Sequence, residues 1–148
     1  MENITKSAEE TKSLGQKIGH SLARGSHATV VALYGELGSG KTVFVKGLAT
    51  ALGIPHRILS PTFLIVREYP LIDMKFSKLF HFDLYRLEHG TNLENLGFSE
   101  ILADPDNLVV IEWAERMANF LPEDRIDIYF TQLAENSRKI EVKSHNRL

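Results

Sequence analysis

With 148 residues, 43% of them hydrophobic and 24% charged, the chain can fill the core of one compact domain spanning 1–148 and leaves little room for a second. A formal net charge of −2 gives no support for broad nucleic-acid or membrane-surface binding, so neither DNA nor a membrane is an expected partner. The absence of cysteine excludes disulfides and thiolate metal sites. Met1 to Lys6 is polar and carries no apolar signal core, and no run is long enough for a bilayer, so a soluble cytoplasmic protein is expected.

Ser7-Ala8-Glu9-Glu10 has the spacing of a capping box, with the Ser7 hydroxyl and the Glu10 carboxylate covering the first free N–H groups of a helix. Leu14, Ile18 and Leu22 then form one apolar stripe, and Gly25 is the expected stop. Ala28 to Tyr34 is almost continuously apolar and rich in β-branched residues, the pattern of a strand covered on both faces. After a glycine-rich loop, Val45, Leu48, Ala49 and Leu52 keep helical spacing until Gly53 and Pro55. Thr62–Tyr69 and Leu79–Leu87 read as extended segments around turn formers in 70–77, which predicts a hairpin. Asn92–Leu102 reads as a short helix interrupted or bent at Gly97. Leu108–Ile111 is a second buried strand, and two closing strands are expected around Glu135-Asn136-Ser137. This order predicts an α/β fold of the P-loop NTPase type, with a mixed, mostly parallel sheet flanked by helices.

Gly35-Glu36-Leu37-Gly38-Ser39-Gly40-Lys41-Thr42 matches G-x-x-x-x-G-K-[ST] in full, between a buried strand and an amphipathic helix. Glycines let backbone N–H groups close around phosphate without a Cβ in the way. Lys41 can reach the β- and γ-phosphates, the Thr42 hydroxyl can ligate Mg²⁺, and the following helix adds its positive end. Residues Glu36, Leu37, Gly38, Ser39, Gly40, Lys41, Thr42 and Val43 make up the expected nucleotide cradle.

Such a loop needs an acid at a neighbouring strand end. Two are available. Leu108-Val109-Val110-Ile111 runs straight into Glu112, and Phe80-His81-Phe82 into Asp83; the unbroken apolar run favours Glu112 for the metal shell and leaves Asp83 to orient the attacking water. Both can also be read blandly, Asp83 as a turn acid and Glu112 as a helix N-terminal acid. On a strand His81, Asp83 and Tyr85 share a face, while Arg86 points to the other and reads as a surface arginine. Thr62, after Ser60-Pro61, would offer a hydroxyl near the γ-phosphate or simply lie in a loop entering a strand. Trp113 packs either on the nucleotide or on the core.

No N-K-x-D guanine reader occurs, no D-x-x-G follows the loop, and Arg67, Arg86, Arg116 and Arg125 are too scattered for a kinase lid. ATP/ADP with Mg²⁺ is therefore the expected cofactor set, and hydrolysis the expected chemistry. A small-molecule P-loop kinase and a nucleotide-sensing module with negligible turnover are the alternatives.

Four ordered blocks carry a resemblance to a known family. Gly35–Thr42, Ser60-Pro61-Thr62-Phe63, His81-Phe82-Asp83-Leu84-Tyr85-Arg86-Leu87 and Glu112-Trp113-Ala114-Glu115 together resemble the bacterial tRNA threonylcarbamoyladenosine biosynthesis ATPases, the TsaE (YjeE) family. The P-loop alone fits dozens of families; the second pair of blocks makes the match specific. The resemblance implies a role in adding a threonylcarbamoyl group to the adenosine beside the anticodon, in tRNAs reading codons that start with A. It further implies an accessory motor that binds and resets a TsaB–TsaD pair, with tRNA contacted mainly by the partners. Carried onto this sequence, it gives catalytic roles to Lys41, Asp83 and Glu112, metal binding to Thr42 and Glu112, a nucleotide-responsive loop to Thr62 and a place in the site wall to Trp113. Ser39 stands where the family often has Ala, and Val43 where it often has Thr or a small residue; neither change disturbs the loop chemistry.

Overall fold

The computed structural model describes residues 1–54, 65–71, 75–85 and 93–144. Its elements are β1 (Glu2–Thr5), α1 (Ala8–Ser21), β2 (Thr29–Tyr34), α2 (Lys41–Ala51), β3 (Val66–Pro70), β4 (Lys78–Asp83), α3 (Phe98–Ala103), β5 (Asn107–Glu112), β6 (Ile126–Gln132) and β7 (Arg138–Ser144). All strands belong to one seven-stranded sheet, in the order β1-β7-β6-β2-β5-β4-β3. The central β6-β2-β5-β4 ladder is parallel, and antiparallel strands finish both edges. This is the mixed sheet with a parallel centre that the sequence predicts.

β2 and β5 owe their unbroken apolar runs to burial on both faces. One face of the sheet sends Val31, Leu33, Val110 and Ile128 against Leu14, Ile18, Phe44 and Leu48 of α1 and α2. The other sends Val30, Ala32, Val109 and Ile111 against Phe98, Ala114 and Met117. The hairpin of β3 and β4 has the expected antiparallel register, Val66 facing Phe82 and Tyr69 facing Leu79. β3 starts at Val66, later than the expected Thr62, and residues 62–64 lie outside the described residues. The bend at Gly97 is present: a 3₁₀ turn at Leu93–Leu96 meets α3 across Gly97, whose φ of 75° suits glycine.

Three local expectations need correction. α1 ends at Ser21, with extended backbone at Leu22, rather than at Gly25; Leu22 is fully buried, and Lys75 Nζ donates to its carbonyl. In the capping box, Ser7 Oγ accepts from Glu10 N–H as expected. Glu10 Oε1, however, accepts from the N–H of Lys6, one residue before the cap. Glu2–Thr5 forms an edge strand on β7 where the sequence order begins with a helix, its Thr5 hydroxyl 2.7 Å from that of Thr11 in α1.

At two glycines, helices α1 and α2 meet with no side chain between them. A Cβ on Gly47 would lie 2.0 Å from the Lys12 carbonyl oxygen, and one on Gly15 would lie 2.3 Å from that of Phe44. These glycines hold the P-loop helix against α1 backbone to backbone.

Candidate functional site

The loop from Gly35 to Thr42 joins the C-terminal end of β2 to α2. Its bend needs three glycines at positive φ, Gly35 at 148°, Gly38 at 76° and Gly40 at 103°. At Gly35 a side chain is further excluded, because a Cβ would meet the Phe130 carbonyl at 2.7 Å and Ser39 Oγ at 2.8 Å. Gly40 is the N-cap of the 11-residue α2, no side chain caps that end, and its first turn holds no acid. The N-terminal N–H groups and the positive end of the helix dipole are thus left for an external anion.

Lys41 is the first helical residue and is buried at 5% exposure. Its ammonium donates to the carbonyls of Gly35 and Glu36 and lies 3.6 Å from the centroid of the Trp113 indole. Burial lowers its pKa, opposed by the charges of Glu115, Glu112, Asp83 and Glu36. Trp113 is the one non-glycine among the described residues at positive φ, 60°, immediately after β5. Its ring also packs on Tyr85, with centroids 5.0 Å apart.

The parallel ladder brings the two candidate acids side by side, since Asp83 and Glu112 are register partners on β4 and β5. They differ in their partners. Thr42 Oγ1 donates to Glu112 Oε1 at 3.2 Å, and His81 Nε2 donates to Glu112 Oε2 at 2.6 Å. Asp83 Oδ1 instead accepts from Tyr85 N–H at 3.0 Å. Burial raises the Asp83 pKa; the Tyr85 N–H pulls it back, and the nearby Glu112 charge raises it further.

Asp83 and Glu112 line one cavity of about 340 Å³, together with Leu37–Val43, Tyr85, Trp113 and Arg138. Among the described residues no three His, Asp or Glu side chains gather on one point. The hard oxygens present, Thr42 Oγ1 and a Glu112 carboxylate, nonetheless suit Mg²⁺, which keeps several waters and takes further ligands from phosphate. The donor set therefore fits Mg²⁺ carried in with a nucleotide and does not resemble a closed protein cage.

Sequence reasoning missed Arg138, the first residue of β7. Its guanidinium donates to the Gly38 carbonyl at 3.0 Å and to the carbonyls of Ala134, Glu135 and Ser137. It thereby ties the β6–β7 turn to the phosphate loop. Behind it a smaller cleft of about 100 Å³ opens among Ser7, Ala8, Thr11, Gly40, Val43, Asn136 and Arg138. No local motif marks these residues; only the sheet order, which puts β7 and β1 beyond β6, brings the chain ends to the P-loop. Thr62 and Arg86 lie outside the described residues.

Residues 5–140 match the family model described as threonylcarbamoyl adenosine biosynthesis protein TsaE. The chain is 39% identical to the tRNA threonylcarbamoyladenosine biosynthesis protein TsaE of Treponema pallidum, over 96% of this chain and 99% of that one. It is 35% identical to the protein of the same name from Bacillus subtilis, over 92% and 80%. A crystal structure of YdiB from Bacillus subtilis superposes with a TM-score of 0.74 at 29% identity, covering 99% of this chain and 86% of the other.

Proposed function

Because the chain belongs to the TsaE family, we propose that it serves tRNA threonylcarbamoyladenosine formation as a Mg²⁺-dependent ATPase that binds and resets a TsaB–TsaD pair. The observation that carries the nucleotide chemistry is the junction of a complete P-loop with two strand-end carboxylates, Thr42 Oγ1 lying 3.2 Å from Glu112 Oε1. In this reading the loop N–H groups and Lys41 bind the β- and γ-phosphates. Thr42 and Glu112 hold Mg²⁺, Glu112 through the ion's water shell. Bound there, the ion neutralises charge that develops on the phosphates. Asp83 orients the attacking water and takes its proton, a task suited to a carboxyl whose pKa burial has raised.

Orientation along the loop follows from the same residues. Lys41, Glu112 and Asp83 mark the γ-phosphate end, so the nucleoside leaves on the Val43 side, toward the cleft of Ser7, Ala8, Thr11 and Arg138. Adenine is the base expected there, since no guanine reader occurs in the sequence. Thr62 remains assigned to a nucleotide-responsive loop on the resemblance alone.

Among the described residues lining the cavity the cations are Lys41 and Arg138, and Arg138 is committed to carbonyls of the phosphate loop and the β6–β7 turn. Where no further arginine joins these residues, hydrolysis alone is slow, and stimulation by a partner that orders or completes the site follows naturally. The same observation favours a second reading, a nucleotide-sensing module with negligible turnover.

Hydrolysis by the purified protein, alone and with the TsaB–TsaD pair, decides between them. A slow rate raised by the pair is the expected result. A rate indifferent to the pair removes the motor role, and no turnover under either condition leaves the sensor.

A further inference from the structure

P-loop chemistry does not in itself call for a histidine, yet His81 is fully buried on β4 with its ring aimed at Glu112. Register explains the aim. His81 pairs with Val110 and Asp83 with Glu112, so His81 lies one ladder step behind the two acids, on the sheet face they share. Its neighbours Phe80 and Phe82 pack into the opposite core.

The partners of its two nitrogens fix the proton. Nε2 stands 2.6 Å from Glu112 Oε2, a carboxylate oxygen that can only accept, while Nδ1 is buried with no hydrogen-bond partner among the described residues. A hydrogen on Nδ1 would be a buried donor with nothing to receive it, which costs about 1–3 kcal/mol. The ring therefore carries its hydrogen on Nε2 and points it at Glu112.

Glu112, whose side chain is 3% exposed, then has one donor on each oxygen, His81 on Oε2 and Thr42 on Oε1. We propose that His81 is a positioning residue: its Nε2–H pins Oε2 and so turns Oε1 toward Thr42 and the place of the metal's water shell. The inference rests on the assignment of Glu112 to that shell. When the Thr42 hydroxyl turns its lone pair to the ion, His81 remains as the donor that keeps the buried carboxylate from rotating. Partners of this kind typically change metal affinity by about 10–100-fold.

Two substitutions separate positioning from packing. In His81→Gln the side-chain amide nitrogen falls near the position of Nε2 and keeps a donor on Glu112; in His81→Asn it falls near Nδ1 and cannot reach. The readout is ADP affinity by calorimetry with and without Mg²⁺, beside thermal melts of each variant. We expect His81→Asn to cut the Mg²⁺-dependent gain in affinity by about tenfold, with Mg²⁺-free affinity unchanged, and His81→Gln to retain that gain within about threefold. A gain kept in His81→Asn but lost in Glu112→Gln overturns the positioning role alone. Equal loss in both His81 variants also overturns it, because core damage then explains the effect. A gain that survives Glu112→Gln removes the metal assignment and the inference with it. Nitrogen-15 spectra of the unsubstituted protein supply an independent arm: a slowly exchanging Nε2–H is expected, and a ring protonated on Nδ1 overturns the proposal even if no variant folds.

Discussion

The ammonium of Lys41 lies over the Trp113 ring, 3.6 Å from its centroid, while it also donates to carbonyls of its own loop. A phosphate entering the cradle competes for that ammonium with the indole and the carbonyls. Trp113 is the one tryptophan in the sequence, so its emission reports the exchange. Titration with ADP is expected to change Trp113 fluorescence saturably. Lys41→Ala should show altered starting emission and no saturable response; a full response in that variant removes the link between lysine and indole.

The two strand-end acids are expected to fail differently. Glu112→Gln should weaken Mg²⁺-dependent nucleotide binding by about tenfold or more, because it disturbs the carboxylate facing Thr42. Asp83→Asn keeps an acceptor for the Tyr85 N–H and should leave binding near normal while lowering the hydrolysis rate by about 100-fold. Calorimetry and single-turnover hydrolysis on the same preparations check both, and the reverse pattern exchanges the two roles.

Arg138 joins the β6–β7 turn to the phosphate loop through a planar fork of donors. Its replacement by Ala is expected to lower ADP affinity by about 10–100-fold, the scale of a lost charge-assisted hydrogen bond at about 1.5–3 kcal/mol. Arg138→Lys should recover little of it, because one ammonium cannot span carbonyls on two loops. Recovery by lysine would show that charge, not the fork, matters.

Gly47→Ala tests the contact between α1 and α2. Alanine is the better helix former by about 1 kcal/mol, but its Cβ would lie 2.0 Å from the Lys12 carbonyl oxygen, a backbone atom with no rotamer to escape through. Overpacking wins, and a net destabilisation of about 1–3 kcal/mol in urea melts is expected. A stabilised variant would mean that the two helices separate easily.

Tyr34 gives a pH signature of its own. Its hydroxyl donates to Asp127 Oδ1 at 2.8 Å, and burial, aided by Asp127 and opposed by Arg125, holds its pKa well above the ordinary 10.0. Above pH 10.0 the unfolded chain loses this proton first, so it binds fewer protons than the native state and stability falls as pH rises. Below that value the phenol is neutral in both states and the slope from this group is zero. Tyr34→Phe should lose some stability near neutrality and show a shallower alkaline decline; identical slopes in the two proteins would contradict this.

The parts of this protein legible in its sequence are those encoded by neighbours in the chain. The phosphate loop reads directly because strand, glycines, Lys41 and helix are contiguous, and β2 and β5 read directly because burial on both faces leaves apolar runs. Arg138 carries no such mark: 100 residues separate it from Gly38, and only the strand order unites them. His81 reads in the sequence only as sharing a strand face with Asp83 and as part of the family block, and its partner Glu112 lies 31 residues away. β1 escaped notice because a four-residue edge strand gains its order from β7 rather than from its own pattern. The end of α1 was misplaced because tertiary packing of Leu22 turned the chain before Gly25.

The glycine contact between α1 and α2 also limits how the molecule can move. α1 and the turn before it bring Ser7, Ala8 and Thr11 to the cleft beside Val43, and α2 brings Lys41 and Thr42 to the larger cavity. With backbones touching at Gly15 and Gly47, the two helices have no cushion of side chains across which to slide. If a nucleotide binds as proposed, the walls for its base and its phosphates thus travel as a single jaw. Any movement coupled to the proposed cleavage then involves the opposing wall, where Asp83, Tyr85 and Trp113 ride on the ends of β4 and β5.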